Sequence, residues 1–165
     1  LTRRLKRAKI AGQSVIAFKP QIDDRYSSNE IASHSGQTFA SFPISKSLDI
    51  IHYISSHMPD AEVIGIDEAQ FFDENIVTVS NDLAKKGVRV ILAGLDMDYL
   101  GKPFGPMPNL LSIAEYVTKV HAICVSCGNL AQYSHRTAEE KEQVLVGAVE
   151  KYEPLCRSCF NKIAH

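Results

Sequence analysis

The chain has 165 residues, 45% of them apolar and 22% charged, with a formal net charge of −1. That is enough for one globular core, or a core with a small appendage. The charge balance argues against a general nucleic-acid grip, which needs a basic surface. There is no secretory leader, and no apolar run approaches the roughly 18 residues of a membrane helix, so a cytoplasmic protein without a membrane span is expected.

LTRRLKRAKIAG, residues 1–12, reads as a helix already under way. Leu1, Leu5 and Ala8 fall near one face, five basic residues lie around the rest, and Gly12 is a good stop. No N-cap precedes it, so further sequence is expected upstream of Leu1. The basic cluster reads first as a solvated helix face, with phosphate binding as the sharper alternative. SVIAFKP (14–20) is a strand closed by Pro20. Residues 23–37 form a polar loop with a short extended piece at Ile31–Ser33, and TFASF (38–42) alternates like a strand. Ser45 is placed to cap a helix with Leu48, Ile51, Ile54 and Met58 inward. VIGI (63–66) reads as a strand buried on both faces. Asp73 caps a helix carrying Ile76, Val79 and Leu83, with Lys85 and Lys86 in its last turn and Gly87 after it. VRVILAGLD (88–96) is the next strand. A Gly/Pro-rich loop (97–109), a short helix LLSIAEY (110–116) and a strand VTKVHAIC (117–124) follow. Beyond Cys124 the chain is polar, with one more short strand, QVLVGAV (143–149).

Strands alternating with helices predict an α/β fold with a mostly parallel sheet. Ligands of such sheets lie beyond the carboxyl ends of the strands. The change of character near Cys124 predicts an α/β core over residues 1–122 and a second domain over 123–165.

The four cysteines form two C-x-x-C pairs, Cys124 with Cys127 and Cys156 with Cys159. Each such turn aims two thiolates at one point, and two turns complete a tetrahedral Zn²⁺ site. Two disulfides would need an oxidising compartment, and a redox role would need only one pair. Four thiolates leave no open position for water, so the zinc is read as structural, closing the loop 128–155.

An apolar strand ending in Asp67 and Glu68 suits phosphoryl transfer. The first carboxylate would serve Mg²⁺, and the second would accept the proton of an attacking hydroxyl or water. Strand-ending acidic pairs also occur as solvated turns or caps, and Phe71 and Phe72 are by composition core residues. An aromatic three residues past a catalytic carboxylate also suits stacking on a flat substrate.

Taken together, FKPQIDDRY, SHSG, IDEAQFF, AGLD, KPFG and VGAVEKYEPLCRSC resemble, in order and spacing, segments of the cellular, zinc-containing (type II) thymidine kinase family. The resemblance spans essentially the whole chain. It implies a RecA-like P-loop kinase core and a small zinc-ribbon domain carrying a lasso loop. The implied activity is ATP-dependent phosphorylation of the 5′-hydroxyl of thymidine, with deoxyuridine as a further acceptor, in nucleotide salvage for DNA synthesis. It matches Glu68 to the catalytic base, Asp67 to the acid associated with Mg²⁺, and Asp23 and Arg25 to residues near the reacting hydroxyl and phosphates. Phe71, Leu95, Tyr99 and Phe104 match the thymidine pocket, and Leu145, Gly147 and Tyr152 match the lasso, whose main chain holds the base. A backbone alternating donors and acceptors suits the edge of thymine and leaves cytosine unpaired. The resemblance also implies a homotetramer and feedback inhibition by thymidine triphosphate. The family's G-x-x-x-x-G-K-[ST] phosphate loop is missing from residues 1–165 and is expected upstream. Two other readings remain open at this stage. One is a zinc-ribbon nucleic-acid module on an ATPase core, and the other is a catalytically dead nucleoside-binding relative.

Overall fold

The structure, a computed structural model, describes residues 1–21, 30–32, 38–137 and 152–163. Its contacts group into two compact units, Leu1–Leu95 with Gly105–Ile113, and Asp96–Phe104 with Ala114–His165.

The first unit runs α1 (Thr2–Ile10), β1 (Val15–Pro20), β2 (Glu30–Ala32), β3 (Thr38–Ala40), β4 (Phe42–Ile44), α2 (Ser47–His57), β5 (Val63–Ile66), α3 (Asn75–Lys85), β6 (Arg89–Leu92) and α4 (Met107–Ile113). Four strands make one parallel sheet in the order β4-β1-β5-β6. β2 and β3 form a separate antiparallel pair. The expected α/β architecture is therefore present.

Period-two alternation divides the core between the two sheet faces. Ile16, Phe18, Ile64 and Ile66 point to one face, where they meet Ile50 and Ile54 of α2, Ile76, Val79 and Leu83 of α3, and Met107 and Leu110 of α4. Ala17, Val63 and Ile91 point to the other face and meet Leu5 and Ala8 of α1. All four residues of β5 are buried. Each fully buried Val or Ile side chain contributes about 1.5–3 kcal/mol, which explains the continuous apolar run in a strand covered on both faces. Gly65 is the exception in size. A Cβ there would lie 2.6 Å from Cδ1 of Leu5, so the glycine lets α1 pack tightly on the sheet.

Several predicted elements differ in extent. TFASF is two strands, because the chain leaves the β2–β3 hairpin at the buried Ser41 and then joins the main sheet as β4. The inward face of α2 is Ser47, Ile50 and Ile54, while Leu48 is 58% exposed. Ile51 and Met58 are partly buried and pack against the same core, as expected. The start of the helix is set by Asp73, whose Oδ2 accepts the Ser47 N–H at 2.9 Å; Ser45 instead bonds Gln21. The last helix of this unit is Met107–Ile113, earlier than LLSIAEY.

The second unit contains β7 (Ala122–Ile123), β8 (Leu130–Ala131), β9 (Tyr133–Arg136), β10 (Tyr152–Leu155) and α5 (Arg157–Ile163), with β7–β8 and β9–β10 as antiparallel pairs. Its core is Cys124, Ala131, Tyr133, Leu155, Cys156 and Phe160, with the Tyr133 and Phe160 rings stacked at 4.4 Å. The predicted strand VTKVHAIC is reduced to Ala122–Ile123. A strand pairs its N–H and C=O groups with a neighbouring strand, and within this stretch Ala122 and Ile123 are the residues that form a ladder, with β8. Tyr116, Val117 and Val120 are exposed. QVLVGAV lies outside the described residues. Among the described residues, no helix is long and apolar enough to cross a membrane.

Candidate active site

β5 is an inner strand of the sheet and ends at Ile66. The ladder continues one step, with Asp67 N–H donating to the Phe18 carbonyl at 2.9 Å. Alternation then puts Asp67 on the face covered by α1. At Glu68 the backbone turns sharply, to φ 48° and ψ 44°. Glu68 is the one non-glycine residue with positive φ among the described residues. Left-handed geometry costs an L-residue roughly 1–2 kcal/mol, and such strain persists only where the surroundings over-determine it. They do so here. A 3₁₀ turn, Ala69–Phe71, follows at once, and the Ala69 N–H is fixed on the Ala93 carbonyl at 2.9 Å.

The two carboxyls therefore leave the strand in different directions. Burial pushes the Asp67 carboxyl above its ordinary range, against the opposing pull of the Glu68 N–H and of the Lys19 charge. Burial also pushes Glu68 up. A hydrogen bond from Gln70 opposes that push, and the Asp67 charge adds to it. The Glu68 side chain keeps solvent access even though protein atoms crowd its carboxyl.

Gln70, a residue to which the sequence reading gives no role, organises this corner. It is 3% exposed. Its Nε2 donates to Glu68 Oε2 at 2.6 Å, and its Oε1 accepts the Leu95 N–H at 3.0 Å. The available sequence signal was a lone amide between Ala69 and Phe71, two residues after the acidic pair. Of the two phenylalanines, Phe72 belongs to the core and Phe71 is half-buried. Leu95 is 47% exposed.

In the second unit, the loop 96–104 is held by its own hydrogen bonds. Asp98 Oδ1 accepts the N–H groups of Leu100 and Lys102, and the Phe104 N–H reaches the Asp96 carbonyl. Phe104 is buried and Tyr99 half-buried. Arg136 joins two predicted pocket residues. Its guanidinium lies 3.9 Å over the Tyr99 ring and donates to Tyr152 Oη from Nε (3.1 Å) and Nη2 (2.7 Å). Periodicity does not single out an arginine in YSHR, and only the pairing of β9 with β10 puts Arg136 opposite Tyr152.

The four cysteines converge. Their sulfurs all lie within 4.8 Å of one another, and Cys127 and Cys156 are 3.6 Å apart. Zn–S bonds of about 2.3 Å in a tetrahedron put sulfurs about 3.8 Å apart. That spacing fits zinc and is far from the roughly 2.05 Å of a disulfide. N–H donation, led by that of Cys156, pulls the Cys124 thiol down to about 6, and the neighbouring sulfur of Cys127 pushes Cys159 up to about 12. Four thiolates this close repel one another, and a divalent cation removes that repulsion. Four cysteines in this arrangement are able to hold a zinc ion.

The structure thus brings Asp67, Glu68, Phe71 and Leu95 into one unit, and Tyr99, Phe104, Tyr152 and the cysteines into the other. Asp23, Arg25, Leu145 and Gly147 lie outside the described residues. A parallel sheet that delivers paired carboxylates from an inner strand is the framework of a phosphotransferase. The sequence model of the thymidine kinase family matches residues 1–160. The thymidine kinase of Bacteroides thetaiotaomicron is 54% identical over 160 residues, covering 97% of this chain and 78% of that protein. The thymidine kinase of Porphyromonas gingivalis is 53% identical, covering 98% and 78%, and that of a Rhodothermus species 49% identical, covering 97% and 73%. The chain belongs to the thymidine kinase family.

Proposed function

We propose that this chain carries the phosphoryl-transfer centre of a thymidine kinase, moving the terminal phosphate of ATP to the 5′-hydroxyl of thymidine, with deoxyuridine as a further acceptor. The observation that carries this reading is the acidic pair at the end of β5, with Glu68 held in a left-handed turn by buried neighbours.

Glu68 is the general base. Burial raises its proton affinity, which makes it a better acceptor for a hydroxyl proton than an ordinary carboxylate. Asp67 offers a hard oxygen donor that fits Mg²⁺ through water. The ion, when bound with ATP, neutralises charge on the phosphates. Arg25 stabilises charge developing on the transferred group, with Asp23 beside it. Phe71, Leu95, Tyr99 and Phe104 line the nucleoside, and the segment carrying Leu145, Gly147 and Tyr152 holds the base. Cys124, Cys127, Cys156 and Cys159 hold a structural zinc. The enzyme is a cytoplasmic homotetramer, inhibited by thymidine triphosphate, and serves nucleotide salvage.

The test is ATP-dependent phosphorylation of thymidine, with deoxycytidine in parallel, by the full-length protein and its Glu68→Gln variant. Turnover of thymidine alone is expected, with kcat about 10²–10⁴-fold lower in the variant while thymidine still binds. Near-normal turnover by Glu68→Gln overturns the base assignment, and no turnover of thymidine overturns the kinase reading.

A further inference from the structure

Backbone closes tightly on Gln70, on its side-chain amide at Gly94 and on its own carbonyl at Gly105. A Cβ at Gly94 would come within 2.6 Å of Gln70 Oε1 and 3.1 Å of the Ala69 nitrogen. At Gly105, where φ is +47°, a Cβ would overlap the Gln70 carbonyl oxygen. Two glycines therefore let two stretches of backbone close on this one residue, at sites where any side chain would displace it.

The amide has one orientation. The Leu95 N–H is a donor, so the atom facing it must be the amide oxygen. The NH₂ group then faces Glu68, where it needs an acceptor, and Oε2 of the carboxylate supplies it at 2.6 Å. That bond fixes Oε2, and Oε1 is the oxygen that is not tied to Gln70. One buried amide thus sets the rotation of the Glu68 carboxylate and ties it to the backbone of Leu95. The strained backbone at Glu68 sets where the side chain starts, and Gln70 sets where it ends.

We infer that Gln70 is the positioning residue of the active site: it holds Glu68 Oε2 so that Oε1 takes the substrate proton, and it fixes this carboxylate relative to the Leu95 backbone. The inference rests on the reading of Glu68 as base. Gln70 itself is not a catalytic residue, since it acts through Glu68.

Three variants of the full-length protein test it, beside Glu68→Gln. Gln70→Glu keeps the acceptor for Leu95 N–H but replaces the donor with a second carboxylate facing Glu68. Its kcat should fall by about 10²-fold, the loss expected when a reacting group is displaced by about 1 Å, with KM for thymidine little changed. Gln70→Met removes both bonds, so it should lose kcat and also raise KM. The third is the double variant Glu68→Gln/Gln70→Met. Its kcat should match that of Glu68→Gln alone, because a residue that acts through Glu68 has nothing left to position. A residue with a merely structural role would instead add its own loss. A carboxylate buried at position 70 risks unfolding the protein, and in that event the Gln70→Met pair carries the test. Wild-type kcat in Gln70→Met, or additive losses in the double variant, would overturn the positioning role while a drop in Glu68→Gln upholds the base. Wild-type turnover in Glu68→Gln overturns both.

Discussion

The backbone at Glu68 can be tested separately from its carboxylate. Glu68→Ala and Glu68→Gly both remove the acid and its bond to Gln70. They differ in what they do at φ 48° and ψ 44°. Alanine retains the left-handed cost of about 1–2 kcal/mol. Glycine removes it, but loses about 0.5–1 kcal/mol more than alanine in conformational entropy on folding. The balance leaves Glu68→Gly more stable by about 0.5–1 kcal/mol, or about 1–4 °C in Tm for a chain of this size. Thermal denaturation of the two variants side by side measures the difference directly, and both should be as inactive as Glu68→Gln. An alanine variant that melts at or above the glycine variant would show that the turn is not strained, and the argument that the fold holds Glu68 against its own preference would fail.

Three further outcomes follow from the geometry. Asp67→Asn should raise Tm at pH 7, because the carboxyl is held above its ordinary value. Its stabilising, protonated form is fully present below the unfolded value of 3.8 and is lost as pH rises through the raised folded value. The gain over wild type should therefore vanish in acid, and a lower Tm at pH 7 would contradict it. Asp73→Ala should cost about 1 kcal/mol for each helix N-terminus it caps, since Asp73 accepts from Ser47 N–H of α2 and from Asn75 N–H of α3. Burial works against the charged form, but these donors outweigh it and hold the carboxyl below its usual range. This stability is complete above pH 3.8 and fades as pH falls through the lowered folded value, so wild type and variant should converge there. A chelator should release about one zinc per chain and loosen the core that contains Cys124 and Cys156, read by metal analysis and by hydrogen exchange on β9 and β10. A metal-free protein with the same exchange pattern would refute the structural role.

The strands and helices that build the sheet were legible because their burial is periodic. Val63–Ile66 is apolar throughout because both faces are covered, and Ile76, Val79 and Leu83 fall on one helical stripe. The cysteine cluster was legible for a different reason: C-x-x-C fixes two ligands locally, and only one pairing of the two turns completes four. Asp67 and Glu68 could be seen as a pair, because two adjacent charges directly follow an apolar strand.

The sequence alone therefore determined the α/β class, the thiolate set and the acidic pair, since each depends on local spacing. Tertiary structure decided the rest. It exposed Leu48 of α2 and buried Ile50, and it brought Asp73, 26 residues away, to the first N–H of that helix. It left Val117 and Val120 exposed and outside any strand, and it set Arg136 against Tyr99 and Tyr152. It also gave Gln70 its place between Glu68 and Leu95. These contacts join residues distant in the chain or depend on a local turn, and no periodicity encodes either. A hydrogen bond requires both partners within about 3 Å, and only the folded backbone brings them there.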